Sequence, residues 1–274
     1  MKKTQNFFLI SSYNCNPNYL LEYCDNYIIY DRSDIDSYKN EISKLKNVKR
    51  VINTGHSISD YFKFFIENYD NLPEFILLLK ANIIGRHLTK EFFDRVYDNK
   101  YYTFLYEENE NPIKSKKNIF FKSSESEYLE INNSWYVKFH PHSYFINYND
   151  LLKFIYKSPH LPDYCLYAPG ACYLVSKHQV RKYSKEFYEN LNKLITYTIV
   201  PKFPSEAHQI ERMLHTIFTC NYKLNDYMND LELFDKQLNN FILTNPPVLK
   251  TGKIEFIKKL ITRIIKFKFL LPLI

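Results

Sequence analysis

Apolar and polar positions follow two rhythms along this chain. Residues 7–12 (FFLISS), 27–30 (YIIY) and 75–79 (FILLL) are short apolar runs of the kind that form buried strands, and 48–53 (VKRVIN) is a fourth candidate. Between them lies a polar amphipathic stretch at 35–45. Residues 58–69 (ISDYFKFFIENY) then place apolar side chains at 58, 61, 62, 65, 66 and 69, the spacing of a helix with one buried face. Ser57 is the expected N-cap of that helix, and the DNLP string at 70–73 ends it. Strand, helix, strand, helix in this order predicts an α/β fold, a mostly parallel (mixed) sheet flanked by helices.

Regularity fades in the middle of the chain. Residues 107–111 and 114–130 are polar, lack apolar periodicity and read as a long excursion. Strand character returns at 134–139 (SWYVKF), and 151–156 reads as a helix broken by PHLP at 159–162. A strand at 171–175, a helix at 184–194 and another opening at Pro204 and running to about Cys220 complete the body. The LTNPPV segment at 243–248 separates body from tail. The expected organisation is a single α/β domain over 1–248, with one half at about 1–106 and a second at about 134–222, followed by a helical tail at 249–274.

That tail is one-sided. At about 100° per residue, Ile254, Phe256, Ile257, Leu260, Ile261, Ile264, Ile265 and Phe267 fall on one half of a helix, and Lys258, Lys259, Arg263 and Lys266 on the other, with Lys268 breaking the pattern on the apolar side. The charge balance sharpens the picture. The chain carries a formal +7, and residues 250–274 hold seven cations against the single anion Glu255, so the body is nearly neutral. A neutral body gives no basic face for nucleic acid, and no nucleic-acid partner is expected. The tail reads as a basic amphipathic helix lying on an anionic membrane surface through 253–271, where each cation contributes about 1 kcal/mol. A helix packed on the body with its basic face in water is the alternative. No run reaches the ~18 apolar residues of a membrane span, and the apolar stretch at 7–10 is too short for a signal peptide. Five cysteines without a C-x-x-C pair argue against a disulfide framework. The expected location is therefore cytoplasmic and peripheral, at the inner face of the membrane.

Composition also narrows the chemistry. The chain has four glycines, at 55, 85, 170 and 252, too dispersed for a P-loop or a dinucleotide fingerprint in its usual form. The 25 Tyr and 22 Phe read as coding bias rather than as a stacking surface for bases or sugars. Two clusters stand out. The first is Asn53, Gly55, His56, Asp60, Lys80, Asn82, Arg86 and His87, much of it just beyond the C-terminal ends of predicted strands, where open parallel sheets bind ligands. The second joins 167–176 (YAPGACYLVS), with Gly170, to 204–215 (PSEAHQIERMLH). Glu206 opens a helix, where the dipole favours its ionised form, as a general base requires. Glu211 lies within reach of His208 or His215 on one helix face. Asp34 and Asp36 form a D-x-D triplet early in the chain, and His140 and His142 lack a nearby Cys or carboxylate, so neither pair is assigned a metal.

Certain strings also carry a resemblance. SSYN at 11–14, the strand at 28–31, the NTG turn at 53–55 and ENYDNLP at 67–73 resemble an uncharacterised domain-of-unknown-function family found in bacterial polysaccharide loci, fungi and plants. APGACYLVS at 168–176 and IERMLHTIF at 210–218 look like its second half, so that the resemblance covers roughly 7–220. In layout this family is similar to GT-A glycosyltransferases, with a nucleotide-binding half followed by an acceptor half ending in an acidic helix. The resemblance implies an enzyme moving a sugar from a nucleotide-sugar donor to a glycan or lipid-linked acceptor in capsule or other surface polysaccharide synthesis. Asn14, Asp31, Asn53 and Asp60 would line the donor side, and Glu206, or failing it Glu211, would act as base. Such enzymes place a metal-binding D-x-D after the strand that here ends at Leu79 and Lys80, where this chain has KAN at 80–82. A divalent metal therefore lacks a well-placed ligand pair, and Lys80, Arg86 or His87 would neutralise the leaving diphosphate. The rival expectation is a non-catalytic membrane-surface or glycan-binding module.

Overall fold

The computed structural model describes residues 2–107, 120–122, 128–131, 145, 147–196 and 205–244. In chain order the strands are β1 (Phe7–Ser12), β2 (Tyr27–Asp31), β3 (Val48–Arg50), β4 (Phe75–Lys80), β5 (Thr103–Phe104), β6 (Phe120–Lys122), β7 (Tyr128–Ile131), β8 (Tyr164–Tyr167) and β9 (Tyr173–Ser176). The helices are α1 (Asp36–Ile42), α2 (His56–Glu67), α3 (Lys90–Val96), α4 (Tyr148–Ile155), α5 (Lys177–Arg181), α6 (Lys185–Thr196), α7 (Ser205–Thr219) and α8 (Leu231–Thr244).

Six strands form the main sheet in the order β3-β2-β1-β4-β9-β5. The β3–β2, β2–β1 and β1–β4 pairs are parallel, whereas β9 runs antiparallel to both β4 and β5. The α/β, mostly parallel but mixed sheet expected from the hydrophobic pattern is the one observed. Alternation along each strand explains the layers. In β1, Phe8 and Ile10 join one core with Leu77 and Leu79 of β4, and Leu9 joins the opposite core with Ile76 and Leu78. The first core also takes Tyr23, Ile42 and Phe93; the second takes Tyr61, Phe62 and Phe65 of α2, Leu191 of α6 and Ile210 of α7. A near-continuous apolar run such as FILLL is what a strand covered on both faces requires.

Several local expectations shift. Gly55, at φ +66°, rather than Ser57, is the N-cap of α2, and Ser57 lies in the first turn. A Cβ on Gly55 would fall 2.7 Å from Ser59 Cβ, so only glycine fits there. The expected excursion at 114–130 contains β6 and most of β7, which pair with β8 in a second, antiparallel sheet. Residues 168–172 are turn rather than strand, and α8, α3 and β8 were not anticipated. The strand expected at 134–139, the His140/His142 pair and the tail at 249–274 lie outside the described residues.

Candidate functional site

Strand order places the site. From β1 the chain moves outward through β2 to β3, then returns to place β4 on the other side of β1. A crevice opens at such a switch point, beyond the carboxyl ends of the strands. Register brings the polar ends level: Ser11 pairs with Lys80, Ser12 with Asp31, and Asp31 with Arg50. Because β9 is antiparallel, its beginning lies at this same edge, with Tyr173 opposite Leu78, and the turn carrying Gly170 folds over the crevice.

Two adjoining cavities occupy that edge. The outer one, about 420 Å³, is lined by Ser11, Tyr13, Cys15, Arg32, Asn53, Ala81 and Asn82. The inner one, about 400 Å³, is lined by Ile58, His87, Tyr106, Glu130, Tyr167, Pro169, Gly170, Ala171, Ala207, His208, Glu211 and Arg212. His56, Ser57, Lys80 and Arg86 line both, so the two are lobes of one cleft. The amino end of α2 contributes His56 and Ser57 at the junction, and no side chain caps its first-turn amides.

Helix periodicity builds the inner wall. On α7, Ala207, His208, Glu211 and Arg212 face the cleft, while Ile210, Met213, Leu214 and Ile217 pack into the core. Glu211 Oε1 accepts a hydrogen bond from the Gly170 amide at 2.6 Å, and its Oε2 lies 3.8 Å from His208 Nδ1 and 3.7 Å from Arg212 Nη1. Burial alone would raise the Glu211 carboxyl. The adjacent His208 ring and the charges of Lys80 and Arg212 outweigh burial and hold it well below the usual carboxylate range. Arg212 pairs through Nε with Glu130 Oε2, donates from Nη1 to the His208 carbonyl at 2.8 Å and from Nη2 to Tyr167 Oη at 3.3 Å.

Both walls carry left-handed backbone. Gly55 and His56 have φ of +66° and +54°, and Gly170 and Ala171 have +94° and +61°. A non-glycine residue there costs on the order of 1 kcal/mol or more, and such strain gathers where a site fixes its geometry. Gly170 is also sterically required, since a Cβ on it would fall 2.7 Å from His87 Nε2. The rings of His56 and His208 lie 4.9 Å apart. Burial, reinforced by nearby cations, pushes both His56 and His87 down to about 4, so each is neutral at neutral pH.

The family comparison covers this cleft almost entirely. Residues 27–229 match the family described as "Protein of unknown function (DUF3431)". The chain belongs to the DUF3431 family. No curated protein and no solved structure matches it. The DUF3431 match takes in both walls of the inner lobe and begins after Ser11, Tyr13 and Cys15 of the outer one.

Of the residues singled out in sequence, Asn53, His56, Lys80, Asn82, Arg86, His87, Gly170, His208 and Glu211 line the cleft. The remainder do other work. Asp60 is 2% exposed and lines neither lobe; it pairs with Arg32 Nε at 3.1 Å and accepts from Ser11 Oγ at 2.6 Å. Asp31 is likewise buried and engaged by Arg50 and by the Ser33 amide. Asn14, in left-handed conformation, accepts from the Asp34 and Ile35 amides and donates to Asp34 Oδ1, tying the first loop to the start of α1. All three are engaged within the protein and none is among the residues lining either lobe, unlike the donor-side placement expected from sequence. Glu206, the first choice for the base, is fully buried and is not among the residues lining either lobe, which leaves Glu211.

The D-x-D pair is committed elsewhere. Asp34 accepts from Tyr13 and Asn14, and Asp36 pairs with Lys39 at the exposed start of α1. Among the described residues no group of three or more His, Cys, Asp and Glu is arranged to hold a metal. ENYDNLP at 67–73 sits at the opposite end of β4 from Lys80, where Arg181 donates to the Tyr69 and Asp70 carbonyls and Tyr30 to Glu67. It shapes the entry to β4 and does not reach the cleft.

Sequence reasoning missed Ser11, Tyr13, Cys15, Arg32, Tyr106 and Glu130 as cleft residues, and held Tyr167 and Arg212 within the second cluster without giving either a role. Ser11 and Arg32 were recoverable, since each ends or follows a predicted strand at the ligand-binding edge. Glu130 had no such signal within a polar stretch.

Proposed function

We propose that the cleft transfers a sugar from a nucleotide-sugar donor to a glycan or lipid-linked acceptor. The observation that carries this reading is the cation pair at the junction of the two lobes. Lys80 and Arg86 line both cavities, and neither makes an ion pair among the described residues. Two uncommitted cations beside the uncapped amino end of α2 form a seat for an anion. A diphosphate there would extend its nucleoside into the outer lobe, toward exposed Tyr13 and the amides of Asn53 and Asn82, and its sugar into the inner lobe. No divalent ion is needed in this scheme for charge neutralisation.

Glu211 is the base in this reading. A carboxylate held this acidic is a weak proton acceptor. A diphosphate on Lys80 offsets one of the cations that hold it down, so donor binding would raise the basicity of Glu211 before the acceptor hydroxyl is deprotonated. Among the described residues no helix is long and apolar enough to cross a membrane. The proposed attachment is the tail at 253–271, lying on an anionic surface at the cytoplasmic face.

A thermal-shift screen against nucleotide sugars and free nucleotides tests the reading. A ligand at about a hundred times its Kd adds about 2.7 kcal/mol, roughly 5–10 °C for a domain of this size. A shift with one nucleotide series supports the enzyme reading and names the donor class. No shift with any of them favours the glycan-binding module instead.

A further inference from the structure

Residues lining the inner lobe carry buried polar atoms with no hydrogen-bond partner among the described residues. Glu130 is fully buried; its Oε2 is bound to Arg212, yet its Oε1 has no hydrogen-bond partner. His56 Nε2 and His87 Nε2 are in the same condition, and all three residues line the inner lobe. Buried polar atoms are nearly always satisfied, and a set of orphans on residues that line one cavity points to a ligand that supplies the missing bonds. A carboxylate oxygen accepts only, and a neutral imidazole nitrogen either accepts or donates according to its tautomer. A ligand that satisfies all three therefore offers several hydroxyls at different angles.

Charge within the lobe is arranged in the same sense. Glu130 and Glu211 both line it, and Arg212 makes contacts with both carboxylates. The two cations without ion pairs, Lys80 and Arg86, lie at the junction with the outer lobe. An anion is thus favoured at the junction and opposed deeper in, where an acidic group would set one acceptor-only oxygen against another.

We infer that the inner lobe takes a neutral polyhydroxylated ring, and that Glu130 selects it over an acidic sugar by accepting a hydroxyl hydrogen at Oε1. This rests on reading the cleft as a sugar-transfer site and names the class of sugar it handles. Glu130 is a specificity residue, and the base remains Glu211.

Saturation-transfer NMR on the full chain tests the inference with methyl glycosides of glucose, galactose, mannose and N-acetylglucosamine, set against methyl glucuronide and galacturonide. Contact with at least one neutral glycoside, and at least tenfold weaker contact with both uronides, is the expected result. Glu130→Gln presents an amide that can donate where the orphan oxygen only accepts, and should erase most of that discrimination. If this variant does not fold, Glu130→Leu with Arg212→Met removes the buried pair together and should abolish the neutral contact. Equal or stronger uronide contact, no monosaccharide contact, or unchanged discrimination in the folded variant would overturn the inference. Titration of the same samples with uridine and guanosine diphosphates separates the two claims. Nucleotide binding without sugar preference sinks the inference alone, whereas sugar preference without nucleotide binding sinks the transferase reading and leaves the lobe assignment standing.

Discussion

The two lobes of the cleft differ in how their polar groups are used. Around the outer lobe the polar groups are mostly paired with one another: Arg32 with Asp60 and Ser11, Asp31 with Arg50 and Ser33, Asn14 with Asp34. Around the inner lobe Glu130 and His87, with His56 at the junction, each keep a buried atom without a hydrogen-bond partner among the described residues. Buried polar groups that are fully bonded specify a fold, and those left short point to a ligand. Residue type and spacing alone do not separate the two cases, which is why Asp31 and Asp60 looked as functional in sequence as Glu211 does in the structure.

The largest test of that contrast removes a satisfied partner. Asp60→Ala leaves Arg32 buried and uncompensated and should cost about 3–5 kcal/mol in stability, read by denaturant unfolding. A loss below about 1 kcal/mol would show that the outer pair is not scaffold. Glu211→Gln makes the opposite separation. Turnover should fall roughly 10²–10⁴-fold, with a stability loss well below that of Asp60→Ala and donor binding retained; a fully active variant removes Glu211 from the mechanism.

Backbone and pH effects are smaller. Gly170→Ala forces a Cβ against His87 and places alanine at φ +94°, so it should destabilise by about 1–3 kcal/mol. Ligand affinity in the inner lobe should fall with it. The histidines give the pH dependence. His56 and His87 are pushed down to about 4 from an ordinary 6.5, so their stabilisation is complete above pH 6.5 and is lost as pH falls through 4. Asp60, raised by burial to about 6, works in the other direction: its contribution is complete below 3.8 and is lost as pH rises through 6. Thermal melts between pH 6.5 and 4 should therefore show a net loss toward acid, reduced in His87→Gln and in His56→Gln. Melts in which neither substitution changes the slope would contradict the neutral burial of these rings.

Much of this fold was legible from sequence. FFLISS, YIIY and FILLL marked β1, β2 and β4 because strands covered on both faces must be apolar throughout, and α2 announced itself by its period. Short elements escaped. β6 and β7 lie in a polar stretch where pairing with β8 overrides weak local preference. The cleft was half legible, because Lys80, Asn82, Arg86 and His87 follow a recognisable strand end. Glu130 enters the site through the second sheet, a long-range contact that periodicity does not encode. Glu206 misled for a related reason: a helix-start acid reads the same whether it faces a cleft or the interior.

The central claim is that Lys80 and Arg86 hold the donor diphosphate without a metal. Titration calorimetry of the nucleotide identified by the thermal screen, in excess EDTA, tests it most directly on the wild-type chain and on Lys80→Ala with Arg86→Ala. Undiminished binding in chelator by the wild type, weakened at least tenfold in the double variant, is the predicted result. Binding that vanishes in EDTA and returns with manganese, or that survives the double substitution, would contradict it.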